Sequence, residues 1–179
     1  MSNLLLKALF RCPVTTDAPP VSEQALAELA VNVDSEARRV LGRSLSIREV
    51  DAGSCNGCEL EIHALNNAVY DLERFGVKFV ASPRHADVLL VTGPVCKNMR
   101  VALERTYAAT PSPKWVVAVG DCACNGGVFA DSRACVGAVS KVLDVDLHIP
   151  GCPPSPDMML RGLMALLSKY AKNPSASAR

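Results

Sequence analysis

Four of the eight cysteines in this chain have the neighbours and spacing of metal ligands rather than of core residues. Cys55 and Cys58 form a Cys-Asn-Gly-Cys pair, Cys122 lies in Gly-Asp-Cys-Ala, and Cys152 lies in Pro-Gly-Cys-Pro-Pro. Each of these segments follows a predicted β-strand. The carboxyl ends of parallel strands meet at one edge of an open α/β sheet, where ligands bind. Four thiolates brought together at that edge suit a 4Fe–4S cluster.

The wide spacing of these cysteines disfavours a structural zinc site. Cys122 follows Cys58 by 64 positions, and Cys152 follows Cys122 by 30. Structural zinc sites usually draw their ligands from two compact segments, whereas a site at a sheet edge can gather ligands from distant loops. A zinc-stabilised interaction module without a redox role therefore stays as an alternative, behind the cluster.

The residues around the four cysteines favour a bulky anionic group. Cys58 and Cys152 each precede a predicted helix, and helix N-termini stabilise negative charge. Gly126-Gly127 lets the backbone pass close to a ligand after Cys122. Pro153-Pro154 predicts a stiff turn that restrains the Cys152 sulfur.

The remaining cysteines are interpreted as small buried hydrophobic residues. Cys96 follows a predicted strand, Cys124 is two residues from Cys122, and Cys135 lies in Arg-Ala-Cys-Val-Gly. Each of these three stays open as a substitute ligand. Cys12, near the N-terminus, is interpreted as incidental.

The elements that must position the cysteines alternate between strands and helices. The predicted strands are Leu45–Val50, Val77–Ala81, Asp87–Thr92, Trp115–Val119 and Val145–Ile149. The predicted helices are Glu59–Phe75, Lys97–Ala109 and a last one that starts at Ser155-Pro156-Asp157, with Met159, Leu163, Leu166 and Tyr170 facing inward. This alternation predicts an α/β fold, a flavodoxin-like doubly wound parallel sheet of about five strands. The α/β domain spans residues 45–172 and is the predicted iron-sulfur domain.

Residues 1–44 are predicted to form an N-terminal extension. Residues 1–21 resemble an irregular arm, and Ser22–Leu41 has helical spacing with Ser22 as N-cap and Gly42 as a stop. A restart at Asp34-Ser35 is an alternative to one continuous helix. The preferred use of the helix is packing on a partner subunit, and packing on its own sheet is the alternative. The small, polar residues 173–179 are predicted to be disordered.

Composition narrows the class of protein. The chain has 179 residues, 49% of them hydrophobic, and a formal net charge of +1. This charge gives no reason to expect nucleic acid as a partner. No apolar run approaches the roughly 20 residues that span a bilayer, and no secretory signal is visible. We therefore expect a cytoplasmic protein with reduced thiols.

Five segments, in order, resemble one known family. They are Cys-Asn-Gly-Cys-Glu, Glu-Arg-Phe-Gly-Val, Ser-Pro-Arg-His-Ala-Asp-Val-Leu-Leu-Val-Thr-Gly-Pro-Val, Gly-Asp-Cys-Ala and His-Ile-Pro-Gly-Cys-Pro-Pro, within residues 46–167. The family joins the 20 kDa subunit of respiratory complex I to the small subunits of NiFe hydrogenases. The resemblance implies one 4Fe–4S cluster bound by Cys55, Cys58, Cys122 and Cys152, and a large partner subunit docked over it.

Two departures from the family patterns indicate a branch. The Cys-x2-Cys spacing of Cys55 and Cys58 resembles hydrogenases, because complex I subunits carry two adjacent cysteines there. Only 27 residues follow Cys152, whereas the longer hydrogenase small subunits carry further clusters in an extension. This combination is similar to the membrane-associated group 4 hydrogenases, of which formate hydrogenlyase is an example.

The resemblance also implies partners and a location. The chain would be an electron-transfer subunit, not catalytic alone, between a ferredoxin-like subunit and a NiFe-hydrogenase-like large subunit. Membrane-embedded subunits of the same complex would hold it on the inner face of the cell membrane. The alternative is the corresponding subunit of a complex-I-like NADH:quinone oxidoreductase.

Other polar residues near the predicted site have two interpretations each. Arg84, beside His85 and Asp87, either seats the partner and shields cluster charge or forms a surface turn with a local ion pair. His63 and His148 either couple a proton to cluster reduction or, the preferred interpretation, are structural. The remaining acidic residues are Glu59 and Glu61, interpreted as first-turn helix residues, and Asp121, to which no role is assigned.

Overall fold

The computed structural model describes residues 23–172, which form seven strands and five α-helices within that range. The strands are β1 (Ser46–Asp51), β2 (Lys78–Phe79), β3 (Val88–Thr92), β4 (Val95–Cys96), β5 (Trp115–Val119), β6 (Cys135–Gly137) and β7 (Leu147–Ile149). The helices are α1 (Glu23–Leu41), α2 (Gly57–Ala64), α3 (Lys97–Ala109), α4 (Asp121–Asn125) and α5 (Pro156–Lys172). Predictions for residues 1–22, including Cys12 and the cap at Ser22, and for 173–179 lie outside the described residues.

The main sheet confirms the predicted doubly wound fold. Its five strands are parallel in the order β2-β1-β3-β5-β7. Numbered among themselves, these strands follow the 2-1-3-4-5 order of flavodoxin-like sheets. The carboxyl ends of β1, β3, β5 and β7 therefore meet at one edge, which we call the carboxyl edge.

Side chains of the central strands alternate between two apolar layers. Val88 and Leu90 of β3 pack in one layer, and Leu89 and Val91 pack in the other. The first layer contains buried residues of α1, α2 and α5, and the second contains Leu103 of α3. Both faces of the sheet are covered, as expected for parallel strands with near-continuous hydrophobic sequences. The predicted inward stripe of α5 is buried in the first layer.

The N-terminal helix packs within this chain, which corrects the preferred prediction of packing on a partner. Ala30, Val33 and Ala37 of α1 are buried. Val33 and Ala37 belong to the same apolar layer as α5. The helix continues through Asp34-Ser35 without a restart and stops where Gly42, at φ +69°, donates its N–H to the Arg38 carbonyl at 2.8 Å.

The predicted helix Glu59–Phe75 was wrong beyond its first two turns. Helix α2 ends at Ala64, and only a 3₁₀ turn at Leu72–Phe75 follows. The Asn67 Oδ1 accepts the backbone N–H groups of Val69 at 2.8 Å and Tyr70 at 3.0 Å. This side-chain turn replaces helical hydrogen bonds and leaves Val69 68% exposed.

The sequence patterns overstated both edge strands and missed three small elements. Strands β2 and β7 pair over two and three residues instead of the five predicted for each. The short helix α4 and the antiparallel pair of β4 and β6 were not predicted. All three missed elements lie in the loops that follow β3 and β5, so they shape the carboxyl edge. No helix in residues 23–172 is long and apolar enough to cross a membrane.

Candidate functional site

The four predicted ligand cysteines lie on three loops at the carboxyl edge. Cys55 and Cys58 follow β1 at the start of α2, Cys122 lies in α4 after β5, and Cys152 follows β7. Cys55 and Cys152 are exposed, whereas Cys58 and Cys122 are half-buried. The fold therefore supplies the convergence that the spacing in the sequence lacks.

Gly120 is the point at which the three loops touch. A Cβ atom at Gly120 would lie 2.6 Å from the Cys58 Sγ and 3.4 Å from the Gly151 carbonyl oxygen. Gly120 lies two residues before Cys122, and Gly151 directly precedes Cys152. The backbone that leads to Cys122 thus contacts both the Cys58 sulfur and the loop of Cys152.

Asp121 fastens the Cys122 loop to the Cys152 loop. Its backbone N–H donates to the Gly151 carbonyl at 2.8 Å, and its Oδ1 accepts the Gly151 N–H at 2.8 Å. The Gly120 N–H also donates to the Ile149 carbonyl at 2.8 Å. This acidic residue, to which the sequence assigned no role, holds two of the three loops in register.

A second acidic residue shapes the loop of Cys55. The Asp51 Oδ1 accepts the N–H groups of Gly53 and Ser54, each at 2.7 Å. The Ser54 hydroxyl then accepts the N–H of Asn56 at 3.1 Å. Asn56 has φ +70°, a left-handed conformation that Asn tolerates, and α2 begins directly after it. The chain consequently reverses between the two cysteines.

Glycines lie next to three of the sulfur atoms, and at Gly120 and Gly127 any other residue would collide with the sulfur. A Cβ at Gly127, which has φ +50°, would lie 2.8 Å from the Cys122 Sγ. A Cβ at Gly57 would lie 3.5 Å from the Cys55 Sγ. At Gly120 and Gly127 the backbone therefore passes close to the Cys58 and Cys122 sulfurs without a side chain between them.

The four thiols influence one another electrostatically, which requires them to lie near each other. Burial raises the pKa of Cys58 to about 12, and Glu59 and the thiols of Cys55, Cys122 and Cys152 add to the rise. Burial also raises the pKa of Cys122, although a hydrogen bond from the Val128 N–H lowers it. Such a site favours a positively charged group that the thiolates can bind.

This proton affinity predicts that the metal-free fold weakens in alkali. The pKa of Cys58 rises from 9.0 to about 12 on folding, so the folded chain holds the proton more tightly. The contribution of the Cys58 proton to the free energy of unfolding is fully present below pH 9.0 and is lost as the pH rises toward 12. Anaerobic urea unfolding of metal-free protein above and below pH 9.0 measures the fall, which is smaller in Cys58→Ser. An equal loss of stability in both proteins would refute the raised pKa of Cys58.

A buried acidic group lies beside Cys58. Glu59 is 7% exposed, and neither of its carboxylate oxygens has a hydrogen-bond partner in the described part of the chain. Burial raises the pKa of Glu49, and Glu59 adds to the rise. Glu49 and the exposed His63 line a cavity of about 320 Å³. Glu59 lies in the first turn of its helix, as predicted, and it is also a buried carboxyl group without a hydrogen-bond partner in the described part of the chain.

The other described cysteines have neighbours of their own. The Cys124 thiol donates to the Ala118 carbonyl at 3.6 Å, and burial raises its pKa to about 11. The Cys96 and Cys135 sulfurs lie 3.5 Å apart. None of the three is among the thiols that raise the pKa of Cys58 or Cys122.

The cluster Arg84-His85-Asp87 is not beside the cysteines, which corrects that prediction. These residues precede β3, so they lie at the opposite edge of the parallel sheet. The Asp87 carboxylate binds Arg43, with the closer contact at 2.5 Å, and accepts the Ser46 N–H at 2.9 Å. Its ion-pair partner is thus Arg43 rather than Arg84. The remaining histidine candidate, His148, is exposed on β7.

Exposed apolar side chains follow the cysteines on all three loops. Leu60 after Cys58 is 62% exposed, Val128 and Phe129 after Cys122 are 84% and 40% exposed, and Met158 after Cys152 is 42% exposed. We call Leu60, Val128, Phe129 and Met158 the apolar rim. Exposed apolar residues of this kind are typical of protein–protein contact.

The sequence contained signals for the residues that were missed. Asp51 and Asp121 are acidic residues at strand ends directly before cysteine loops, a position typical of side chains that accept loop N–H groups. Leu60 follows Cys58 by two positions, Val128 and Phe129 follow Cys122 by six and seven, and Met158 follows Cys152 by six. Their exposure depends on helix orientation, which periodicity alone does not give.

Comparison with protein families gives a match over most of the chain. The model of the family described as the 20 kDa subunit of NADH ubiquinone oxidoreductase matches residues 55–166. That range contains all four cysteines of the site.

Three curated relatives are of two kinds. A probable membrane-bound hydrogenase subunit of Pyrococcus furiosus is 46% identical over 75% of this chain and 80% of its own length. Formate hydrogenlyase subunit 7 of Escherichia coli is 40% identical over 93% of this chain and 63% of its own length. A subunit of the NADH-quinone oxidoreductase of Geobacter sp. strain M21 is 42% identical over 83% of this chain and 86% of its own length.

Two solved structures share the fold. A chain of the membrane-bound sulfane sulfur reductase, an archaeal respiratory membrane complex, has a TM-score of 0.66 and 34% identity, covering 82% of this chain and 79% of its own. A chain of an NAD+-reducing NiFe hydrogenase has a TM-score of 0.58 and 23% identity, covering 76% of this chain and 99% of its own. The second likeness concerns the fold alone.

Proposed function

Because this chain belongs to the family of the 20 kDa subunit of NADH ubiquinone oxidoreductase and is a subunit of an oxidoreductase complex, we propose that it transfers electrons in a membrane-associated NiFe hydrogenase. One 4Fe–4S cluster would connect a ferredoxin-like subunit to the NiFe large subunit. The observation that carries the proposal is the convergence of Cys55, Cys58, Cys122 and Cys152 at one edge of the sheet.

The donor set and its surroundings fit an iron–sulfur cluster. All four donors are thiols, the soft ligands that such clusters take from proteins. Gly120 and Gly127 keep Cβ atoms away from the Cys58 and Cys122 sulfurs, and the Val128 N–H is a hydrogen-bond donor to the Cys122 sulfur. Hydrogen bonds to ligand sulfurs are one of the means by which proteins set cluster potentials.

The arrangement of the thiols favours a cluster over zinc. The four thiols come from three separate loops, after β1, β5 and β7, whereas structural zinc sites usually draw their ligands from two compact segments. Four thiolates around one zinc, each at about 2.3 Å, must nearly touch. In a 4Fe–4S cluster each thiolate binds a different iron, so the sulfurs lie farther apart while still converging.

The chain's own residues set the conditions for electron transfer. A bound 4Fe–4S cluster supplies one-electron oxidation and reduction. Cys55 and Cys152 are exposed, so an electron partner can approach from the carboxyl edge. The buried Glu59 carboxyl group beside Cys58 would disfavour additional negative charge there and would so lower the reduction potential of a bound cluster.

The apolar rim supports docking of the large subunit over the cysteines. Its four side chains lie on the segments that follow Cys58, Cys122 and Cys152, and burying them would exclude water from the path of the electron. All four are uncharged, so the favourable contribution of their contact is apolar burial. Docking here brings the partner's redox centre to the edge where the thiols lie.

Val128→Asp is expected to weaken the complex without unfolding the chain. Val128 is 84% exposed, so the charge is tolerated in the free chain but is buried on docking. A central apolar contact contributes about 2 kcal/mol, or roughly thirty-fold in affinity. Co-purification with a tagged large subunit measures this loss. Val69→Asp, at a position 68% exposed but outside the rim, is the matched control; equal losses would contradict docking on the rim.

A quinone-reducing, complex-I-like enzyme is the second candidate. The identity to an NADH-quinone oxidoreductase subunit, 42% over 83% of this chain, favours it. The Cys-Asn-Gly-Cys spacing favours the hydrogenase, because the complex I pattern has adjacent cysteines at this position. Both candidates use the same four thiols and the same edge for docking.

One anaerobic purification of the complex tests these candidates. Iron, acid-labile sulfide, nickel and zinc are quantified on the sample used for low-temperature EPR, and H2-linked viologen reduction is assayed. We expect a reducible cluster signal, nickel and H2-linked activity. Nickel-free complex that reduces quinone would overturn the hydrogenase assignment in favour of the second candidate. Zinc without sulfide would overturn both.

A further inference from the structure

Cys96 and Cys135 form a close pair of thiols outside the four-cysteine site. Their sulfurs lie 3.5 Å apart, although the residues are 39 positions apart in sequence. They are Cα partners in the antiparallel pair of β4 and β6, and both are half-buried. The predicted interpretation of each as an isolated buried hydrophobic residue omits this contact.

The backbone already has the geometry that a disulfide needs. The Lys97 N–H donates to the Ala134 carbonyl at 2.9 Å, whereas the Cys96 N–H donates to Ala52 and the Cys135 N–H to Ser132. Neither cysteine N–H therefore donates to the other cysteine, and the register of the two strands shifts by one residue between Val95 and Cys96. In regular antiparallel pairs of this kind, opposite Cα atoms are about 4.5 Å apart. Disulfides join residues whose Cα atoms are about 4.4–6.8 Å apart. The two sulfurs can bond after small side-chain rotations.

The surroundings of Cys96 define which thiol reacts first. Its sulfur contacts Gly53, where a Cβ would collide with it, so the thiol has no room to turn away from Cys135 in that direction. Burial and the hydrogen bond to Cys135 raise the pKa of Cys96. Gly53 thus covers one side of the Cys96 sulfur, which leaves the Cys135 sulfur as the nucleophile for the first attack.

We propose that Cys96 and Cys135 are a reversible dithiol–disulfide site for low-molecular-weight disulfides such as glutathione disulfide. The Cys135 thiolate attacks one glutathione sulfur, breaks the glutathione S–S bond and releases one glutathione thiolate. Cys96 loses its proton, attacks the Cys135 sulfur of the mixed disulfide and releases the second glutathione. The protein pair is oxidised by two electrons and glutathione disulfide is reduced by two.

The new disulfide would connect two segments at the carboxyl edge, one after β3 and one after Cys122. Cys96 follows β3 and is hydrogen-bonded at 2.8 Å to Ala52, on the loop that leads to Cys55. Cys135 lies on β6, in the segment that follows Cys122. Oxidation would therefore tie together segments next to two of the proposed ligand loops without using any of the four proposed ligands.

Tryptic peptide mapping of the anaerobically purified complex tests the site directly. Residues 85–97 and 134–141 form two tryptic peptides, each with one cysteine. After treatment with glutathione disulfide and blocking of free thiols, we expect these two peptides to be linked, and dithiothreitol to separate them. Absence of the linked pair from the unsubstituted protein would overturn the proposal.

Three variants examine the order of reaction and its specificity. Cys96→Ser should accumulate glutathione on Cys135, because the second attack is lost, and Cys135→Ser should form no link. Cys124→Ser should form the linked pair as the unsubstituted protein does, because Cys124 contacts the Ala118 carbonyl instead. Glutathione that accumulates on Cys96 in Cys135→Ser, with none on Cys135 in Cys96→Ser, would overturn the order of attack. Since none of these residues is a proposed ligand, the result is independent of whether the cluster is present.

Discussion

The Cys55→Ser complex is expected to lose its reducible iron–sulfur signal and its electron transfer from the ferredoxin-like subunit. Cys55 is exposed at the start of α2, so serine fits without disturbing the core. A hydroxyl is a much poorer ligand for iron in a cluster than a thiolate. Low-temperature EPR of the dithionite-reduced complex measures the loss of the signal. Iron and sulfide, quantified on the same sample, should fall by the content of one cluster.

Cys124→Ser is the matched control for this loss. Cys124 is two residues from Cys122, yet its thiol donates to the Ala118 carbonyl rather than joining the other thiols. Serine can keep that hydrogen bond, so iron content and the EPR signal should be retained. An unchanged signal in Cys55→Ser, or its loss in Cys124→Ser alone, would refute the ligand assignment.

Gly120→Ala is expected to damage both the fold and the site. Gly120 has φ +85°, and the new Cβ would lie 2.6 Å from the Cys58 Sγ. With ψ 158°, this backbone lies in a region that is essentially restricted to glycine, and another residue there costs about 1–3 kcal/mol. Overpacking adds about 1–3 kcal/mol. For a chain of this size each kcal/mol lowers the Tm by about 2–4 °C. Displacement of the Cys58 sulfur should also reduce bound iron.

Gly42→Ala separates the backbone cost from the collision. Gly42 has φ +69°, but nothing lies within 4 Å of a Cβ built there. This variant should therefore lose only the about 1–2 kcal/mol of left-handed strain and keep its iron. Thermal unfolding and iron content of both variants provide the comparison. Equal losses of Tm with iron retained in both would show that Gly120 does not press on Cys58.

Local sequence signals predicted most of the framework. The limits of α3 and β5 were predicted to the residue, because each is bounded by strong breakers and has one consistent periodicity. The strand predicted at Leu45–Val50 is observed one residue later, although its sequence is rather polar. The interior of the predicted helix Glu59–Phe75 was wrong, because the side chain of Asn67 formed turn hydrogen bonds that apolar spacing does not reveal.

The sequence by itself determined the parallel α/β fold and that three cysteine segments follow strands of one sheet, because hydrophobic periods, glycines and prolines act over a few residues. Only the tertiary structure decided what distant segments do together. It joined Asp121 to Gly151, Gly120 to Cys58 and Cys96 to Cys135, and it turned Arg84 to the opposite edge. Such contacts depend on strand order and helix direction, which bring together residues whose separation in sequence carries no local signal.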